Sequence, residues 1–203
     1  MTFIKDGADT YLSSNSMKLL GLNFSDSTSM ESHVESIKKK VHKRSWTLVN
    51  LRRAGVSNKD SLAVYYSLIR SVIEYASITY HSMLTAEQAN SLESLQKMCV
   101  RIIFGWDQSY SEIRQQNDIE LLEARRKKQC LKFAKECTES ENFRDWFPLE
   151  PEKLHDLRVT NKYAIPKFNF YRYDNSPLNY MRRALNEDHA RQANLPLTSR
   201  YTS

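Results

Sequence analysis

Glycine is scarce in this chain, with four in 203 residues, and all five prolines stand beyond position 147. So few turn formers in the first two thirds exclude a turn-rich β architecture there and favour long helices. The three cysteines, Cys99, Cys130 and Cys137, are an odd number without a CxxC pair. That usage argues against a disulfide framework or a zinc knuckle, and it suits buried thiols in a reducing compartment. No apolar run approaches the roughly 18 residues of a membrane span. The N-terminus, with Lys5, Asp6 and Asp9, has no signal-peptide core. The expectation is an intracellular protein, nuclear or cytoplasmic, with no membrane partner.

The signatures of catalysis are missing as well. His33, His42, His81, His155 and His189 lie far apart, and none pairs with a cysteine or carboxylate at metal-ligand spacing. There is no P-loop, GxGxxG, GxSxG or HExxH. Nucleotidyl transfer needs acidic residues that hold two magnesium ions, and no adjacent Asp pair occurs anywhere. No metal, no cofactor and no catalysis by this chain alone are therefore expected.

What remains is a charge-rich chain, 40% hydrophobic and 27% charged, long enough for one helical domain with a core and some irregular sequence. Tyr11-Leu12 and Met17 to Phe24 are apolar stretches separated by Ser13, Ser14 and Asn15, which reads as a β-hairpin. Thr28 followed by Glu31 is a capping box that opens a helix carrying Val34, Ile37, Val41, Leu48 and Leu51, with Gly55 as the stop. A second helix starts at Ser57 or Asn58 and carries Leu62, Tyr65, Leu68, Ile69, Val72, Ile73 and Ala76. Thr85 and Gln88 open a third, ending at Gly105, a short helix follows near Ser109 to Gln116, and a last long one spans Ile119 to Cys137. Beyond Ser140 the prolines interrupt the pattern, except that Ser176-Pro177 opens a short helix near 176–190, and the last dozen residues are expected to be mobile. The predicted fold is mainly α: an N-terminal hairpin over 1–25, a helical bundle over 26–138 and an irregular segment over 139–203.

Charge distribution says more than the net value of +6. Between Lys38 and Arg53 stand seven basic residues and not one acidic residue. At helical pitch Lys39, Lys43, Trp46, Asn50 and Arg53 share a side opposite the Val34, Ile37, Val41, Leu48 stripe. Such a face suits phosphates, with Trp46 against a sugar or base. It equally suits a solvated surface with Trp46 packed under a neighbouring segment. The run Arg125, Arg126, Lys127, Lys128, continued by Lys132 and Lys135, is a second candidate. It reads as a nucleic-acid contact, a nuclear localisation patch or solubilising charge.

The phrase MKLLGLNFSDSTSMESHV resembles the KYLGV hairpin of non-LTR (LINE-type) retrotransposon reverse transcriptases and the helix after it, with Lys18, Leu19, Leu20, Gly21 and Leu22 filling the pattern. YYSLIRSVIEYAS (Tyr65 to Ser77), LTAEQANSLESLQKMCVRIIFG (Leu84 to Gly105), LLEARRKKQCLKFA (Leu121 to Ala134) and RYDNSPLNYMRRALN (Arg172 to Asn186) resemble the family's thumb and downstream region in order. The resemblance implies a primer-grip hairpin at Lys18 and Gly21. It also implies a thumb-like bundle that holds an RNA–DNA hybrid or other duplex backbone through Lys39, Lys43, Arg44, Trp46, Arg53 and Arg125 to Lys128. Leu19 stands where the family usually has tyrosine, and the fingers, palm and YxDD carboxylates are not in this sequence, so polymerisation is not implied. A 5′-truncated element with a chance start methionine would have this form. Its partners would be a nucleic acid, or a palm and fingers or other protein chain docked on the apolar helix over 62–80. A non-functional or purely protein-interacting remnant is the alternative.

Overall fold

The computed structural model describes residues 3–6, 9–12, 16–25, 29–151, 161–166 and 171–192. The fold is mainly α, preceded by two antiparallel hairpins, β1 (Phe3–Asp6) with β2 (Asp9–Leu12) and β3 (Ser16–Leu19) with β4 (Leu22–Ser25). The sequence reading pairs the two apolar stretches across Ser13 to Asn15. Instead Met17 pairs with Phe24 and Leu19 with Leu22, around a turn at Leu20-Gly21, while Tyr11 pairs backward with Ile4. Residues 13–15 lie outside the described residues. Both turn residues have positive φ, +47° at Leu20 and +83° at Gly21, the signature of a primed two-residue turn that matches strand twist. Leucine rarely adopts this backbone. It is held here by the Tyr75 hydroxyl, which donates to the Leu20 carbonyl at 3.0 Å.

The helices follow in the order the capping residues predict: α1 (Glu31–Arg53), α2 (Asn58–Val64), α3 (Ser71–Glu74), α4 (Ser77–Tyr80), α5 (Ala86–Phe104), α6 (Tyr110–Gln116), α7 (Leu122–Glu139), α8 (Tyr171–Asp174) and α9 (Pro177–Gln192). Thr85 with Gln88, and Ser109 with Glu112, form reciprocal capping boxes, and Ser57 accepts the Asp60 N–H. At α1 the predicted Thr28 box is replaced. The N-cap is Met30 without a side-chain bond, and the Ser29 hydroxyl accepts the Glu31 N–H at 3.2 Å; Thr28 lies outside the described residues. Gly55 (φ +73°) follows α1 and Gly105 (φ +101°) ends α5, backbone that costs a non-glycine residue. Between α2 and α3 the chain widens into a π-helical segment, Tyr65–Arg70.

The described residues fall into two compact units. One runs up to Ala76 and includes Met83–Ala124; the other joins Ser77–Ser82 to the residues from Arg125 onward, with the division inside α7. In the first unit, α1 contributes Val34, Ile37, Val41 and Leu48 to the interior, the π segment Tyr65 and Ile69, and α5 Leu92, Leu95, Cys99, Val100 and Ile103. Several buried polar groups there are paired with one another. The Tyr65 hydroxyl donates to Gln96 Oε1 at 2.7 Å, Gln96 Nε2 donates to the Glu120 carbonyl at 2.9 Å, and Glu93 accepts from the Tyr110 hydroxyl and the Leu122 N–H. In the second unit Ala134, Cys137, Phe147, Met181 and Leu185 form the core. Asn186 brackets Tyr163, accepting its N–H and donating to its carbonyl, and Arg182 donates twice to the Trp146 carbonyl. These bonds tie residues 143–151 and 161–166, which hold no α-helix, to α9. The predicted mobile end, from 193, lies outside them.

Candidate nucleic-acid interface

Helix α1 runs 23 residues, about 35 Å at the usual rise. Its buried stripe of Val34, Ile37, Val41 and Leu48 leaves the opposite side to solvent, and Lys39, Lys43, Trp46 and Arg53 all stand exposed there. Trp46 is 66% exposed, so it is not packed under a neighbour. Among the described residues no carboxylate lies within ion-pair distance of Lys39, Lys43 or Arg53. Lys38 is different: its ammonium binds Glu35 Oε1 at 2.6 Å, and that bond holds the Glu35 carboxyl below its ordinary range.

Two sequence candidates have other duties. Arg44 is half-buried and donates to the Leu68 carbonyl of the π segment at 2.6 Å, which ties α1 to its neighbour and removes this guanidinium from the face. Arg126 is 1% exposed, so it cannot meet a phosphate backbone. The reason is geometric: four successive basic residues spread around a helix, and one of them must point inward wherever α7 is packed. Arg126 instead lies against His81, Nε to Nδ1 at 3.4 Å. Of its neighbours Lys127 and Lys128 are exposed and Arg125 is half-exposed. Further along, Lys132 pairs with Glu136 at 3.8 Å and Lys135 with Asp188 at 2.7 Å. The basic run is thus partly neutralised and forms no continuous stripe.

On the hairpin, Lys18 is exposed on β3 and Gly21 occupies the turn against Tyr75. Met17, Leu19 and Leu20 are exposed too. Over 62–80 Tyr65, Ile69, Ile73 and Tyr80 are buried, Leu62, Leu68, Val72 and Ile78 are partly buried and Tyr75 is exposed.

A feature that sequence reasoning missed lies where α1 and α5 end. Arg52 Nη1 donates to the Ile102 carbonyl at 3.0 Å, answering carbonyls left open at the end of α5. Beside it, Val49, Arg52, Arg53, Ile102 and Trp106 line a groove of about 390 Å³. Trp106 is 65% exposed, with the Arg101 guanidinium 4.9 Å from its ring centroid. A tryptophan directly after the Gly105 helix stop is the only local signal for it. Among the described residues no group of His, Cys, Asp and Glu is placed to hold a metal, and no helix is long and apolar enough to cross a membrane. No protein-family model, curated protein or solved structure matches this chain.

Proposed function

We propose that this chain is a non-catalytic, thumb-like module of the non-LTR reverse transcriptase type that grips the backbone of a nucleic-acid duplex, an RNA–DNA hybrid or similar, without reading sequence. The observation that carries the reading is the stripe of Lys39, Lys43 and Arg53, exposed on one side of α1 with no carboxylate within ion-pair distance among the described residues. Lys39 to Arg53 spans about 21 Å along the axis, which matches about six phosphate steps of one strand. Point charges at that spacing neutralise phosphates and release counterions, while an amphipathic helix face without bidentate base contacts carries no code for sequence. Trp46, in the same stripe, adds a flat apolar surface for a sugar.

The test is anisotropy of a labelled RNA–DNA hybrid at low salt with the protein and its K39E/K43E/R53E variant. Binding by the first and none by the second is expected; equal binding, or none by either, overturns the reading. A second reading, docking on another protein chain such as a palm and fingers, is favoured by the exposed Met17, Leu19 and Leu20 of the hairpin. Size-exclusion chromatography with light scattering separates the two: an oligomer without nucleic-acid affinity supports the second.

A further inference from the structure

We infer that the groove between the ends of α1 and α5 takes an unpaired nucleobase together with its phosphate, so that the module holds the junction where a duplex gives way to single strand. This rests on the duplex-binding reading above. The two helices run side by side in the same direction. Near their starts Glu31, Val34 and Glu35 share a groove with Thr85, Gln88 and Ser91, and at their ends Arg52 bonds to Ile102. The groove at the starts thus holds three carboxylates, Glu31, Glu35 and Glu87, against one ammonium, Lys38, which Glu35 already binds, whereas the ends gather guanidinium groups, Arg52, Arg53 and Arg101. A strand followed from Lys39 through Lys43 to Arg53 arrives at the second groove, not the first.

The lining fits a nucleotide in kind. Val49 and Ile102 supply an apolar floor, Trp106 a flat aromatic wall, and Arg52 and Arg53 a cationic rim. The indole is 65% exposed with one guanidinium beside it, a large apolar surface that stacking on a base would cover. The two arginines are not equivalent. Arg52 is committed to the Ile102 carbonyl, and the Asp107 carboxylate shares its neighbourhood, each lying 3.6 Å from the space beside the Gly105 α-carbon. Asp107 repels an anion there, which assigns the phosphate to Arg53. The volume of about 390 Å³ falls in the range of about 300–1,000 Å³ usual for small-ligand sites.

The experiment compares one RNA–DNA hybrid in two forms, blunt and with a short single-stranded extension, by anisotropy at about 50 mM salt. The protein, Trp106→Ala and Trp106→Phe are measured, each checked for an unchanged melting temperature. The expected result is a preference of about fivefold or more for the extended form, the weight of one stacked base. Trp106→Ala should lose that preference and keep its blunt-duplex affinity, and Trp106→Phe should retain most of the preference. Equal affinity of the unaltered protein for both forms overturns the inference while leaving the duplex reading standing. So does a preference that survives Trp106→Ala, or an equal loss on both forms in that variant. Absence of binding to either form overturns both.

Discussion

Raising the salt concentration from about 50 mM to about 200 mM should weaken duplex binding by about 40-fold, and the number follows from the geometry of α1. Three exposed cations, Lys39, Lys43 and Arg53, stand along one side of the helix without ion-pair partners among the described residues. If each neutralises one phosphate, the logarithm of the binding constant falls with the logarithm of salt at a slope of about −2.7, since each contact contributes about −0.9 on B-form duplex. A fourfold change in salt then costs about 4 raised to 2.7. Replacing any one of the three by alanine should flatten the slope by about 0.9, and the effect should be the same whichever sequence the duplex carries. The assay is anisotropy titration at four or more salt concentrations with the protein and the three single variants. A slope near zero, or one that changes on alanine substitution at Lys127 and Lys128 and not on α1, would refute the reasoning.

Arg44→Ala should leave that salt slope unchanged and lower stability to urea by about 1.5–3 kcal/mol, the usual range for a charged hydrogen bond, because it strips the Leu68 carbonyl of its donor. Arg126→Met should hold or raise the melting temperature without touching duplex affinity. The guanidinium is buried with its Nη1 unsatisfied, and an apolar side chain of similar length fills the same space at no charge-burial cost; a large drop in melting temperature would show that the charge is needed. Gly21→Ala should destabilise by about 1–2 kcal/mol by thermal or urea unfolding, since φ is +83° and the new methyl meets the Tyr75 ring at 3.2 Å. Burial pushes the Cys99 thiol up to about 12 and the Cys130 thiol to about 11, from an ordinary value of 9.0. Folded-state values above the unfolded one mean that stability is intact below pH 9 and declines as pH rises toward 11 to 12; Cys99→Ala should flatten the decline, and an unchanged decline in both Cys99→Ala and Cys130→Ala would overturn it.

The Trp106 groove and the α1 stripe were not equally legible. Lys39, Lys43 and Arg53 could be placed together from spacing alone, because an amphipathic helix has one solution once its apolar stripe is fixed. Trp106 could not be joined to Arg52 and Arg53, which lie about fifty positions away in the chain; only the parallel course of α1 and α5 brings them to one groove. Arg126 and Arg44 mark the same limit from the other side. Their charge is plain in the sequence, yet whether a basic residue meets solvent or a carbonyl depends on which element packs against its helix.

By itself the sequence determined the end of α1, the start of α2, both ends of α5 and the start of α6. Ser57, the Thr85–Gln88 and Ser109–Glu112 boxes, Gly55 and Gly105 act through bonds and backbone conformations local to each helix end, so no distant contact can overrule them cheaply. Tertiary structure decided the hairpin turn, the π segment and the division inside α7. At Leu20, which has positive φ, the Tyr75 hydroxyl, fifty-five positions later, bonds to the carbonyl. Such choices are set by partners far along the chain, which local propensity does not encode.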